Sequence, residues 1–132
     1  MTRNEAREIL MQIMFEMESA RTMNAETAVK LAEDRLSGNH IVRGKDLLTY
    51  ITEHIEDIDQ EINTHSRAWK TGRMPKVDLA IMRLSIGEVR ACEDIPTAVS
   101  VNEAINLARK YSTPQSSRYI HGVLGSIFKE DE

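Results

Sequence analysis

Between Val77 and Cys92 the chain reads VDLAIMRLSIGEVRAC, and Val77, Leu79, Ala80, Ile81, Met82, Leu84, Ile86 and Val89 leave little polar surface on any side. A helix that is apolar on most sides belongs at the centre of a bundle. The remaining elements must then be amphipathic helices packed around it. Arg83 lies inside this run. An unpaired buried cation is costly, so Arg83 needs a carboxylate, a backbone acceptor or a ligand.

The flanking sequence supplies such helices. Residues 4–19 carry an apolar stripe of Ala6, Ile9, Leu10, Ile13, Met14 and Met17 at helical spacing. Arg3 and Arg7 share one face of that helix and have Glu8 and other acids on nearby turns as ordinary surface partners. A second helix is expected from Asn24, its cap, to Leu36, with Ser37-Gly38-Asn39 ending it. From Lys45 the stripe Leu47, Leu48, Ile51, Ile55, Ile58 and Ile62 predicts one long helix. Its outer face holds Asp46, Glu53, Glu56, Asp57, Asp59 and Glu61, which reads as solvated and would repel RNA. His54 and His65 on it are about 16 Å apart by helix rise and cannot share a metal ion.

After residue 66 the character changes. Arg67, Lys70, Arg73 and Lys76 surround Trp69 with no acid from Ser66 to Val77, and Gly72 and Pro75 break the helix into a linker. Beyond the central run, Ser100-Val101-Asn102-Glu103 fits a capping box, with Val101, Ile105 and Ala108 facing inward. Ser112-Thr113-Pro114 stops that helix, and Thr113 is the expected cap of a last helix burying Ile120, Val123, Leu124 and Ile127. Gly122 and Gly125 are expected to admit a neighbouring backbone. The tail Glu130-Asp131-Glu132 reads as frayed.

The expectation is all-α, six to seven helices in two packed helical subdomains, about 1–66 and 67–132, within one domain. Three prolines, six glycines and 29% charged residues agree with it. A net charge of −4 argues against a general nucleic-acid glue but permits a local basic face. Residues 1–65 hold 7 basic and 13 acidic side chains, whereas 66–132 hold 10 and 8. Between Glu103 and Glu130 there is no acid, while Arg109, Lys110, Arg118 and Lys129 are present with Tyr111 and Tyr119 among them. Cations, hydroxyls and aromatics around one turn suit a phosphate backbone with bases stacked on rings; the plainer reading is a polar turn with tyrosines on the core. The single Cys92 excludes an intramolecular disulfide and suits a reducing, cytoplasmic setting. No phosphate loop, Cys/His metal spacing or nucleophile beside a base is visible, so no enzyme, cofactor or metal is expected.

The run DIPTAVSVNEAINLARKYSTPQSSRYIHGVLGSI (Asp94 to Ile127), with VDLAIMRLSIGEV (Val77 to Val89) and AREILMQIMFEME (Ala6 to Glu18), resembles the NusB family of bacterial transcription antitermination factors. The resemblance implies an all-α fold of two helical subdomains. It implies RNA binding through Arg3, Arg7, Arg83, Gln115, Ser116, Arg118 and Tyr119, with Tyr119 open to two readings, a stacking platform or a core residue. It also implies a partner, NusE, which is a small-subunit ribosomal protein, contacted through Asp78. The alternative for Asp78 is an acid favoured by the helix dipole, and Asp78→Lys is expected to weaken NusE binding without harming the fold. The implied target is the single-stranded boxA element of ribosomal RNA leaders, with the pair helping to load a complex onto RNA polymerase. The chain departs from the family in having only Arg3 and Arg7 where an arginine cluster is typical, Pro114-Gln115 where an acid is common, and His121 in place of asparagine. Two other readings stay open: a protein-only helical adaptor or homodimer, and an RNA-binding accessory domain of an rRNA methyltransferase.

Overall fold

The Val77–Val89 run forms the axis of the molecule. In the computed structural model, which describes residues 1–131, it lies in a helix running Lys76–Ala91, and every residue from Asp78 to Glu88 on it is buried. Seven α-helices are present among the described residues: α1 (Arg3–Ala20), α2 (Ala25–Arg35), α3 (His40–Glu53), α4 (Ile55–His65), α5 (Lys76–Ala91), α6 (Thr97–Tyr111) and α7 (Pro114–Lys129). Helix α5 packs against α1, α3, α4, α6 and α7. The all-α expectation holds. One apolar cluster draws residues from both sides of the 66–75 loop, including Ile13, Met14, Leu48, Ile62, Ile81, Ile120 and Leu124.

The expected caps Asn24 and Thr113 are in place, and Thr2 adds a third. Thr2, Asn24 and Thr113 cap α1, α2 and α7, their side chains accepting from the N–H groups of Glu5, Thr27 and Ser116. Pro114 fills the first turn of α7, where its missing donor costs nothing. Gly38, with φ at +61°, turns the chain between α2 and α3 in a conformation that side chains disfavour.

Four expectations need correction. The single long helix is two, α3 and α4, joined at His54 (φ −114°, ψ 21°). There the imidazole stacks on Tyr50 at 4.1 Å and its Nδ1 lies 2.8 Å from the Tyr50 carbonyl. The apolar stripe keeps its period across the bend, so periodicity could not reveal it. The capping box is absent, because α6 begins at Thr97 behind Pro96. Ser100 is instead buried inside the helix, its hydroxyl 2.9 Å from that of Ser85 on α5. The inward stripe of α6 is accordingly Ser100, Ala104, Leu107 and Ala108, with Val101 and Ile105 only half-buried. Gly122 and Gly125 face open space, and a Cβ at either would meet nothing within 4 Å. The tail is also less free than expected, since Asp131 pairs with Arg90; Glu132 lies outside the described residues.

The close approach falls at Gly87 instead. A Cβ there would lie 2.3 Å from Cγ1 of Ile51 on α3, well inside contact distance. Gly87→Ala should therefore force α3 and α5 apart and lower unfolding free energy by about 1–3 kcal/mol, as overpacked cores do. Urea titration followed by circular dichroism measures it.

Candidate nucleic-acid interface

Two acid-free stretches, 66–77 and 104–129, meet at the start of α7. Tyr119, one turn into that helix, shares a hydrogen bond between its hydroxyl and that of Ser66, the residue closing α4. Ser66 also donates to the Trp69 carbonyl. The Trp69 ring packs edge-to-face on Tyr119 with centroids 5.1 Å apart. Asn63 anchors the loop further, its side chain accepting from the Thr71 N–H at 2.8 Å and its carbonyl from Lys70 Nζ at 2.7 Å. The 66–75 segment is thus a pinned loop, and Gln115 and Arg118 stand exposed beside it on α7.

The turn leading into α7 is also pinned from below. Ser112 donates to Asp78 Oδ1 at 2.8 Å, tying the end of α6 to the first turn of α5. Asp78 is fully buried, and its Oδ2 has no hydrogen-bond partner among the described residues. A carboxylate in that position cannot present charge at a surface. The expectation that Asp78→Lys would leave the fold intact is therefore corrected: a lysine there would carry its charge into a site with no access to water.

The expected site residues divide into two groups. Arg3, Gln115 and Arg118 are exposed. Arg7 and Arg83 are buried and committed to carboxylates. Arg7 donates through Nη2 to both oxygens of Glu88 at 3.0 and 3.1 Å, and Glu103 lies 3.9 Å away. This is a pairing across the fold to α5 rather than the neighbouring-turn partner anticipated for Arg7. Arg83 grips Asp59 at 2.8 and 2.6 Å and Glu18 at 2.8 Å, so the carboxylate alternative is the one realised. Burial pushes the Arg83 guanidinium down, but the Asp59 hydrogen bonds and the Asp59 and Glu18 charges outweigh it and hold it above its ordinary value. Ser116 is buried in the first turn of α7, its N–H serving Thr113. Tyr119 is half-buried, and burial pushes its phenol up against the opposing Ser66 hydrogen bond. A single track through all seven residues is not what the fold presents.

The last turn of α6 is tied to α1. Lys110 donates to Glu8 at 2.6 Å and Tyr111 to the same carboxylate at 2.9 Å, and these two bonds hold the Glu8 carboxyl below its usual range. Arg109 is exposed next to them. Beyond Arg3, Arg7, His40 and Arg43 line a cleft between α1 and α3, with Arg43 paired to Asp94.

The NusB family profile matches residues 4–129. The chain belongs to the NusB family. It is 37% identical over 131 residues to the transcription antitermination protein NusB of Natranaerobius thermophilus, covering 96% of this chain and 94% of that protein. The NusB of Desulforamulus reducens is 39% identical over 128 residues, covering 96% and 90%. In three dimensions the chain is similar to T. maritima NusB, with a TM-score of 0.87 at 25% identity over 98% of this chain and 92% of that one. It shares its fold with NusB from a crystal structure of antitermination factors NusB and NusE in complex with double-stranded RNA, at a TM-score of 0.81 and 22% identity over 97% and 96%.

The burial of Arg83 sets a test for this NusB-family chain. Truncation would remove charge-assisted hydrogen bonds to the half-buried Glu18 and Asp59, so Arg83→Ala should cost about 1.5–3 kcal/mol of stability. Denaturant titration measures the loss. An RNA contact at this position would predict the opposite pattern, with weak binding and an unchanged unfolding midpoint. At the neighbouring carboxylate, Asp78→Asn should keep the bond from Ser112 and melt near the parent, whereas Asp78→Lys should melt far below it in a thermal scan.

Proposed function

We propose that this chain is an RNA-binding transcription antitermination factor that pairs with NusE and recognises boxA-type single-stranded RNA of ribosomal RNA leaders. Family membership supports the antitermination role, and the NusB relatives it resembles carry that name. The observation that carries the RNA reading is the first turn of α7. It sets exposed Gln115, with Arg118 just beyond it, in a stretch without a single acid, at the positive end of the α7 dipole. Arg3, exposed at the start of α1, supplies a further phosphate contact. Arg7 and Arg83 act one step removed, by fixing α1 and α5 through Glu88, Asp59 and Glu18. Asp78 likewise serves the partner-facing end of α5 from beneath, by holding Ser112.

Pairing with NusE is supported by the likeness to the NusB–NusE complex, and action at RNA polymerase in the cytoplasm belongs to the same proposal. Among the described residues no helix is long and apolar enough to cross a membrane. The proposal involves no catalytic step, metal or cofactor.

Fluorescence anisotropy of a labelled boxA-type strand, with and without NusE and across a salt series, tests it. Arg3→Ala and Arg118→Ala should each weaken binding to all sequences alike and reduce the slope of log K against log salt by about 0.7, the single-strand value per phosphate contact. Added NusE should tighten binding. Absence of any RNA binding by the intact chain, alone or with NusE, would refute the reading.

A further inference from the structure

We propose that the bound RNA continues from the first turn of α7 onto the 66–76 loop, where Trp69 is a stacking platform and Arg67 and Arg73 are backbone phosphate contacts. This rests on the RNA-binding reading above and extends it to a surface outside the resemblance that suggested that reading.

The distribution of unsatisfied charge points there. Among the described residues, Arg67, Lys70, Arg73, Lys76, Arg109 and Arg118 are all exposed and none is in an ion pair. With Arg3, Arg21, Lys30 and Lys129 also exposed and outside ion pairs, four of these ten cations lie within ten residues of one loop. The first acid after that loop, Asp78, is fully buried and cannot neutralise it from outside. A run of solvated cations without carboxylates attracts a polyanion, and each phosphate neutralised releases counterions.

Shape favours a nucleic acid over an acidic protein. Trp69 keeps 36% of its surface exposed while its ring is steadied by the edge-to-face contact with Tyr119. Tyr119 itself has its hydroxyl engaged by Ser66 and is half-buried, so of the two rings Trp69 offers the better platform. Tyr119 becomes its support. The loop is already ordered by Ser66, Asn63 and Lys70, so binding meets little further ordering cost. An aromatic platform set among cations on a pinned loop is the arrangement that binds single strands with little sequence preference. Continuity comes from Tyr119, which joins the loop to the same turn that presents Gln115 and Arg118.

Trp69 is the only tryptophan in the chain, so its fluorescence reports on this surface alone. The intact protein is titrated with a boxA-type single strand and with a strand extended beyond it. The expected result is saturable quenching of Trp69 fluorescence, and tighter binding of the extended strand. R67Q/R73Q, at side chains in no ion pair among the described residues, should lower the salt slope by about 1.4, twice the single-strand value per contact. Trp69→Ala should weaken binding roughly ten-fold with little salt dependence, and Trp69→Phe should recover most of the loss. Thermal melting shows that each variant is folded at the assay temperature. Unperturbed Trp69 fluorescence at saturation, with an unchanged salt slope in R67Q/R73Q, would overturn the extension. Arg118→Ala would still weaken binding in that case, leaving the broader RNA reading in place. Loss of NusE binding in R67Q/R73Q with RNA binding untouched would assign the loop to a protein and overturn it as well. If the parent protein binds neither strand, both readings fall together.

Discussion

Helix α5 is buried for eleven consecutive residues yet carries Asp78, Arg83 and Glu88 within them, and the fold supplies each with a polar partner. Together they draw in three elements, α1, α4 and the α6–α7 turn. Glu88 takes Arg7 from α1, Arg83 takes Glu18 from α1 and Asp59 from α4, and Asp78 takes Ser112 from the α6–α7 turn. Buried charge adds little net stability where apolar packing could replace it, but breaking one side of it is costly. Its effect is on register. A helix as apolar as α5 could slide or rotate against its neighbours with small loss, whereas three charges at fixed heights admit one arrangement.

That arrangement explains where the molecule's surface charge ends up. The acidic face expected on the 45–62 segment is partly consumed, since Asp59 and Glu61 turn to Arg83 and Arg90. Glu88 and Glu18 are likewise spent on arginines. Three carboxylates of the acidic first half, Glu18, Asp59 and Glu61, are drawn onto α5, while the cations after residue 66 stay largely outside and unpaired. A chain with net charge −4 thereby offers a cationic surface in one place. Net charge was a poor guide because the folded structure hides charges selectively.

Most of the fold was legible, and what was missed follows a pattern. The continuous apolar run located α5, and the caps at Asn24 and Thr113 located two helix starts, because these signals act within one turn of chain. The break at His54 was invisible, since a ring stacking on the previous turn leaves the apolar period intact. Ser100 was misread because a hydroxyl three residues before Glu103 looks the same whether it caps its own helix or bonds to Ser85 on another. The site was less legible than the fold for the same reason. Arg3 and Arg7 are equivalent by helical spacing, yet one is exposed and the other lies against a carboxylate 81 positions away. Only tertiary structure decides which cation remains available. The acid-free 66–77 segment was visible, but that it is tied to α7 through Tyr119 was not.

Asp78 shows how the two ends of the proposed machinery are mechanically joined. Its Oδ1 holds Ser112, and Ser112 ends α6 one residue before the cap of α7. Its Oδ2 is buried without a partner, which a desolvated carboxylate tolerates poorly. The bond from Ser112 is thus the interaction that offsets the burial of Asp78, and losing it would leave both carboxylate oxygens without a donor. The start of α7, where Gln115 and Arg118 stand, is held by the same bond, since Thr113, its cap, follows Ser112 directly in the chain. A fully exposed acid at position 78 would leave that turn unanchored; the buried one fixes it against the first turn of α5.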